Sequence, residues 1–355
     1  MELRNKYKKL GNYIREVDVR NKGLKVSKLL GVSNEKYFIP SIANIVGTDL
    51  SNYKIVKRNQ FAFGTVTSRN GDKLSIAILK EDECIVSSSY IVFEVIDDSI
   101  LNPDYLMMWL RREEFDRYAR FMSHGSVREL FGWDKLCDVE LPIPEIDEQL
   151  KYVNDYDSIQ NAIKIKEEIN NNLLEQGCTL CKSVFPITEE PNHILEEFFP
   201  IITGKKNTEV ASAEGEFPFF SCSQDILYTN DYSFEGSAIL LAGNGDFNIK
   251  FYSGKFEAYQ RTYVLIPYDS KLCGLLFFIM KANIEKITKG NRGSVISFIV
   301  KNMISDFKIT LPNDFINYKE IDMLNELLKL IAINEKEITN LHKLQETLLR
   351  SIAQQ

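Results

Sequence analysis

Hydrophobic and polar positions divide the chain into two halves of similar layout. Short β-branched and aromatic runs, broken by Gly, Asn and Asp, occur within 36–96 and again within 238–268, and they predict strands. One helical pattern follows the strands in each half, over 102–122 and over 269–289. Each half is therefore predicted to be a mixed α+β globule.

Two long stretches without proline follow the globules, one after Pro144 and one after Pro312. Their apolar residues recur at the alternating three- and four-residue spacing of a coiled-coil seam. A narrow apolar stripe needs a partner, so we expect the two helices to pair antiparallel, with one globule at each end of a rod. The predicted seam positions are Tyr152, Ile159, Ala162, Lys166, Ile169, Leu173, Gln176 and Leu180 in the first helix, and Leu324, Leu327, Ile331, Asn334, Ile338, Leu341, Gln345, Leu348 and Ile352 in the second.

The two halves also share a stretch of sequence. "GSVRELFGWDKLCDVELPIP" (125–144) aligns with "GSVISFIVKNMISDFKITLP" (293–312) without a gap at an offset of 168 positions, and "TLCKSV" (179–184) aligns with "TLLRSI" (347–352) at the same offset. Solenoid repeats have periods of about 20–50 residues, so this one indicates a duplicated module with internal pseudo-twofold symmetry.

Composition fits an ordinary globular protein of two or three domains, with 355 residues, 44% hydrophobic and 26% charged. We expect a cytoplasmic protein with no membrane segment, because no N-terminal apolar region stands out. The net charge of −7 argues against a simple nucleic-acid coat but allows a local basic groove. Cys178 and Cys181 form a lone C-x-x-C with no second pair, so we expect neither a metal site nor redox chemistry.

At the end of the first globule, "LPIPEIDEQL" (141–150) opens the long helix, with Glu148 and Gln149 near its start. With two globules and two long helices, the chain resembles the specificity subunits of Type I restriction–modification systems. The second copy, "LPNDFINYKEIDML" (311–324), departs from the boundary motif because it lacks the Glu-Gln pair and the second Pro. The resemblance implies target-recognition domains at 1–143 and 187–312, and spacer helices at 144–186 and 313–355.

The resemblance also implies a non-catalytic subunit that reads a bipartite, asymmetric site in double-stranded DNA. Two methyltransferase subunits would bind S-adenosylmethionine, restriction subunits would join for cleavage, and this chain would hold no cofactor. The residues agree: there is no Asn/Asp-Pro-Pro-aromatic motif, "AGNGDFN" (242–248) is not G-x-G-x-x-G, and "TGKKNT" (203–208) lacks the first Gly of a phosphate loop.

DNA contacts are expected from polar and cationic loops near the strand ends, where Arg and Asn suit base edges and Gly lets the backbone approach phosphate. A solvated loop side chain is the alternative for each residue, and a plain turn for each Gly-Ser-Val. The candidates are Thr67, Ser68, Arg69, Asn70, Lys73, Ser89, Tyr90, His124, Ser126 and Arg128 in the first half, and Asn244, Gln260, Arg261, Thr262, Lys289, Asn291, Arg292 and Ser294 in the second.

Two other functions remain open at this point. One is an interaction scaffold that carries two ligand-binding domains on a coiled coil and has no role on DNA. The other is a pseudo-dimeric nuclease whose scattered acidic residues bind metal. Retention of specific DNA with and without a methyltransferase partner would separate the three.

Overall fold

The computed structural model describes residues 7–41, 47–67, 73–123, 129–212, 215–289 and 297–354. The chain forms two compact units. Unit 1 comprises Met1–Ile163 and Asn340–Gln355, and unit 2 comprises Lys164–Thr339. Each unit thus contains one globule and parts of both long helices.

The described residues of unit 1 form ten short strands, four of which make a sheet of order β2-β9-β6-β7. Phe61, Phe63 and Phe93 are buried on this sheet, and the Phe61 and Phe93 rings stack with centroids 4.7 Å apart. The strands are β1 (Tyr7–Lys9), β2 (Ile14–Glu16), β3 (Leu30–Val32), β4 (Phe38–Pro40), β5 (Lys54–Lys57), β6 (Phe61–Gly64), β7 (Ile76–Ile78), β8 (Glu83–Val86), β9 (Tyr90–Val95) and β10 (Glu140–Pro142).

The helical pattern at 102–122 proves to be two helices, so the expected single helix is wrong. Helix α1 (Pro103–Arg111) begins at Asn102, whose side chain accepts from two backbone N–H groups, and α2 (Glu113–Met122) follows. The break lies at Arg112, which has extended backbone angles. The apolar spacing continues across this break, which is why the pattern alone did not reveal it.

Unit 2 is built on a six-stranded sheet of order β12-β17-β15-β16-β13-β14. The apolar helix α5 (Cys273–Ala282) is buried over most of its length, and α6 (Ile284–Ile287) follows it, so this pattern too forms two helices. The strands are β11 (His193–Ile194), β12 (Ile202–Thr203), β13 (Phe217–Phe220), β14 (Ile226–Thr229), β15 (Phe234–Ala242), β16 (Ile249–Ala258), β17 (Thr262–Leu265) and β18 (Lys308–Ile309).

The shared stretch of sequence folds in the same way in both units. A short helix, α3 (Trp133–Cys137) or α7 (Lys301–Ser305), is followed by β10 or β18. Each of these strands pairs antiparallel with the first strand of its unit, β1 or β11. Leu136 and Ile304 hold equivalent positions, and both are fully buried. The repeat therefore preserves the residues that close each globule before its long helix begins.

The long helices are α4 (Ile146–Val184, 39 residues) and α8 (Lys319–Ser351, 33 residues). Within unit 2 they run antiparallel. The Asn334 side-chain amide donates to Asn170 Oδ1 at 2.9 Å, and one turn away Lys166 forms an ion pair with Glu337. Within unit 1 the end of α8 packs on α4 and the globule: Ile352 is fully buried, and the Tyr7 hydroxyl donates to the Ala353 carbonyl at 2.7 Å.

The predicted seam is partly right on α8, where three of the nine positions are buried and six half-buried, and wrong on α4, where none of the eight is buried. Ile321 and Leu328 of α8 are buried and were not predicted. Leu324, Ile331 and Ile352 are buried as expected. On α4 the buried positions are Gln149, Val153, Tyr156, Ile163, Asn170, Gly177 and Cys181. Of the positions predicted there, Ile169 and Gln176 are exposed, while Tyr152, Ile159, Ala162, Lys166, Leu173 and Leu180 are half-buried.

Amide side chains, Gln149 on α4 and Asn325 on α8, attach the long helices to their globules. In unit 1, Gln149 is fully buried, and it accepts from the Asn102 N–H and donates to the Ile100 and Pro144 carbonyls, each at 2.8 Å. In unit 2, Asn325 of α8 accepts from the Gly274 N–H at 2.8 Å and donates to the Lys271 carbonyl. Gln149 of the boundary motif thus has a clear structural role.

The predicted domain limits, 1–143, 144–186, 187–312 and 313–355, stay predictions. Helix α8 begins at Lys319, after a short 3-10 turn at Phe315–Asn317. Within the described ranges, no helix is both long enough and apolar enough to cross a membrane.

Candidate nucleic-acid interface

Half of the candidate residues can be placed in the structure. Thr67, Lys73, Ser89, Tyr90, Asn244, Gln260, Arg261, Thr262 and Lys289 are described. The other nine lie outside the described residues: Ser68, Arg69, Asn70, His124, Ser126, Arg128, Asn291, Arg292 and Ser294. The residues on either side of the segments that contain these nine are described.

In unit 1 the residue before 68–72 is bonded to the residue after 124–128. The Thr67 N–H and hydroxyl both donate to the Glu129 carbonyl, at 3.0 and 3.1 Å. The Phe131 N–H donates to the Thr65 carbonyl at 2.9 Å, which completes a short antiparallel bridge. Thr67 directly precedes the candidate segment 68–72, and Glu129 directly follows the candidate segment 124–128. The bridge therefore brings together the ends of two segments that are distant in sequence. Thr67 itself is buried, and its hydroxyl is used in the bridge.

A buried ion pair binds the backbone at Leu74, shortly after residues 68–72. Lys36 Nζ lies 2.8 Å from Asp116 Oδ2, and both side chains are nearly inaccessible. The other carboxylate oxygen of Asp116 accepts from the Leu74 N–H at 3.0 Å. Burial lowers the pKa of Lys36 and raises that of Asp116, and their mutual attraction opposes both shifts. Next to Leu74, the candidate Lys73 forms an exposed ion pair with Glu35 at 2.6 Å.

Ser89 lies in the turn between β8 and β9, and Tyr90 is the first residue of β9. The predicted run 84–96 is therefore two strands separated by a turn. The Ser89 and Ser87 hydroxyls are 3.1 Å apart, and the Val32 N–H donates to the Tyr90 hydroxyl at 3.4 Å. Ser89 is exposed and Tyr90 half-buried, so Ser89 is the freer of the two to reach a ligand.

Unit 2 presents Gln260 and Arg261 at the tip of a tight turn between β16 and β17. The Thr262 N–H donates to the Tyr259 carbonyl at 2.8 Å, which closes the turn. Gln260 and Arg261 are exposed, whereas Thr262 is 1% exposed and belongs to the core. The Arg261 carbonyl accepts from the Gly243 N–H at 2.8 Å, and a Cβ on Gly243 would lie only 2.3 Å from that oxygen. This contact holds the glycine-rich loop against the turn.

The glycine-rich loop of unit 2 repeats the bridge of unit 1. Asn244 pairs with Phe298 in an antiparallel bridge. The Gly245 N–H donates to the Ser297 carbonyl at 3.1 Å, and the Ile299 N–H donates to the Gly243 carbonyl at 3.0 Å. Ser297 lies two residues after Val295 of the second Gly-Ser-Val, as Glu129 lies two residues after Val127 of the first. Lys289 lies exposed on the other side of that segment, in the turn after α6.

Two residues beside this turn, Lys205 and Lys206, were not predicted. The Gln260 N–H donates to the Lys206 carbonyl at 3.0 Å, and both lysines are exposed. Their motif, "TGKKNT", lacks the first glycine of a phosphate loop, so its lysines were assigned no role from the sequence. The signal that could have revealed them is the pair of adjacent lysines after a glycine, taken as a surface feature.

The cysteines show the properties of packing residues. Burial raises the pKa of Cys181 to about 12 and also raises that of Cys178, so neither is an activated thiolate. Among the described residues, no cluster of three or more His, Cys, Asp or Glu side chains could hold a metal ion.

A domain match and a fold match show what parts of the chain are similar to. Residues 193–343 match the family of the Type I restriction modification DNA specificity domain. The fold of the whole chain is similar to the crystal structure of the S subunit of a Type I restriction–modification system from M. genitalium, with a TM-score of 0.53 and 15% identity over 98% of this chain and 95% of that one.

A curated relative adds a match at the level of sequence. The Type I restriction enzyme EcoDI specificity subunit of Escherichia coli is 44% identical over 119 residues, which cover 34% of this chain and 27% of that protein. The match thus spans about a quarter of the relative's length. The expected resemblance to Type I specificity subunits is confirmed.

Proposed function

We propose that this chain is the DNA sequence-recognition subunit of a Type I restriction–modification complex, in which each globule reads one half of a split site. The observation that carries the proposal is the duplicated backbone bridge beside candidate DNA-contact residues in each unit, at Thr67–Glu129 and Gly245–Ser297. The bridge is the same in both units, while the polar residues beside it differ. Such a pair of supports with different contact residues suits two different half-sites.

The same proposal extends to the partners and to catalysis. Methyltransferase subunits would bind S-adenosylmethionine and carry out methyl transfer, and restriction subunits would join for cleavage. This chain would supply recognition alone. Incubating the pure chain with S-adenosylmethionine and its target DNA should give no methyl transfer, and turnover by the pure chain would contradict this part of the proposal.

Retention of DNA tests the proposal against its two alternatives. The purified chain, alone and in complex with its methyltransferase subunit, would be incubated with a random duplex pool, and the retained DNA sequenced. We expect the complex to enrich one bipartite motif. An interaction scaffold would enrich no motif, and a nuclease would cleave the pool without partners once a divalent cation is added.

A further inference from the structure

We propose that Lys205 and Lys206 bind backbone phosphates beside the turn that carries Gln260 and Arg261, and so act as positioning residues for that turn on DNA. The inference rests on the proposed function and deepens it. In this proposal the lysines contact the DNA backbone, and the turn with Gln260 and Arg261 contacts the bases.

The backbone holds the two lysines in a fixed place. Strand β12 pairs with β17 through Ile202 and Thr203, and the Gly204 N–H donates to the Thr262 carbonyl at 3.0 Å. A Cβ on Gly204 would lie 2.0 Å from the Ala258 carbonyl oxygen, so only glycine allows this approach. Lys206 then forms a bridge to Tyr259. The segment 202–206 is therefore bonded along its length to the strands and the turn that hold Gln260 and Arg261.

The charges at this edge have no internal partners. Neither Lys205, Lys206 nor Arg261 forms an ion pair within the described part of the chain, and all three are exposed. Some other exposed cations pair with carboxylates, such as Lys9 with Asp138 and Arg58 with Asp82, and some, such as Lys271 and Lys308, form no ion pair among the described residues. What distinguishes Lys205, Lys206 and Arg261 is that they lie together at one turn, where the Lys206 carbonyl accepts from the Gln260 N–H. In a chain of net charge −7, three exposed cations gathered at one turn point to an anionic ligand.

The two kinds of side chain suit different parts of DNA. Lysine is a flexible point charge that suits phosphate, and contacts to phosphate fix the register of a protein on the duplex without reading sequence. Glutamine and arginine can form bidentate hydrogen bonds to adenine and guanine edges. The two lysines lie beside the turn, and Gln260 and Arg261 occupy its tip. Phosphate contacts by the lysines would therefore place Gln260 and Arg261 at a groove of the DNA.

The test measures the salt dependence of DNA binding by the complex of this chain with its methyltransferase subunit. The logarithm of the binding constant falls linearly with the logarithm of the salt concentration, and each phosphate contact makes this slope steeper by about 0.9. The K205A/K206A variant should therefore lower the slope by about 2, so that raising salt from about 50 to 200 mM weakens its binding about tenfold less than that of the wild type. The motif that it binds should not change.

Two variants make the result specific. K271A/K308A removes two exposed lysines from other elements of unit 2, and its slope should equal that of the wild type. K205R/K206R should restore the wild-type slope, which shows that charge at these positions is what matters. Thermal unfolding of each variant confirms that it is folded.

The outcomes separate this inference from the function on which it rests. If the wild-type complex retains no specific motif, the proposed function fails. If the wild type binds its motif and K205A/K206A has the slope of the K271A/K308A control, the inference alone is wrong. A changed half-site in K205A/K206A would also contradict it, because it would make the lysines base-reading residues.

Discussion

A single amide side chain attaches each long helix of this protein to its globule. Gln149 makes three hydrogen bonds from a fully buried position, and Asn325 makes two in unit 2. The sequence drew attention to Gln149 only through the boundary motif. The bonds themselves could not be predicted, because they depend on the loop at Ile100–Asn102 coming close to the start of α4.

Replacing Gln149 with leucine tests this role. Leucine fills similar space but leaves the Asn102 N–H and two carbonyls without their partner, so we expect a loss of about 1–3 kcal/mol in the free energy of unfolding. Urea denaturation would measure it. Gln176→Leu, an exposed site on the same helix, is the matched control and should change stability by no more than about 0.5 kcal/mol. Equal effects of the two substitutions would contradict the role given to Gln149.

Among the elements, the hydrophobic pattern indicated strands within 36–96 and 238–268, but it did not indicate β1, β2, β13 or β14, and it took α1–α2 and α5–α6 each for one helix. It indicated the buried face of α8 in part and missed that of α4. The buried face of α4 includes Gln149, Asn170 and Gly177, which a search for apolar residues passes over. Gly177 is needed because a Cβ there would lie 2.2 Å from the Phe278 ring. The pattern therefore assigned the α4 seam to neighbouring positions such as Ile169, which is 42% exposed.

The Asn170–Asn334 pair tests how the two helices are matched within unit 2. A polar pair in a seam favours one register at a cost in stability. Asn170→Leu alone should destabilise the protein by about 1–2 kcal/mol, because Asn334 loses its acceptor. The double variant with Asn334→Leu should recover that loss. Thermal unfolding of the four proteins gives the coupling energy, and a coupling near zero would show that the two amides do not interact.

For the whole molecule, the sequence predicted the duplication, the class of fold and the two long helices. The candidate interface was predicted less completely. Gln260 and Arg261 lie exposed on one turn as expected, while Thr67 and Thr262 are buried. Whether a threonine faces solvent or the core depends on strand pairing. Lys205 comes close to Gln260 only through the pairing of β12 with β17, which sequence spacing does not reveal.

The length of the helices offers a test of the expected rod. If the helix pair sets the spacing of the half-sites, one heptad added to both α4 and α8 keeps the seam in register and lengthens each helix by about 10 Å. The half-sites should then lie about 3 bp farther apart, at about 3.4 Å per base pair. Methylated sites of the active, lengthened variant would be sequenced. An unchanged spacer would show that the helices do not set the distance.

The central claim is that each globule reads its own half of a bipartite site, and exchanging one globule tests it most directly. Residues 187–312 would be replaced by the equivalent segment of a related specificity subunit, and the methylated motif determined by sequencing the DNA of cells that carry the complex. The account predicts that one half of the motif changes to that of the donor while the other half is retained. A motif that changes in both halves, or in neither, would contradict it.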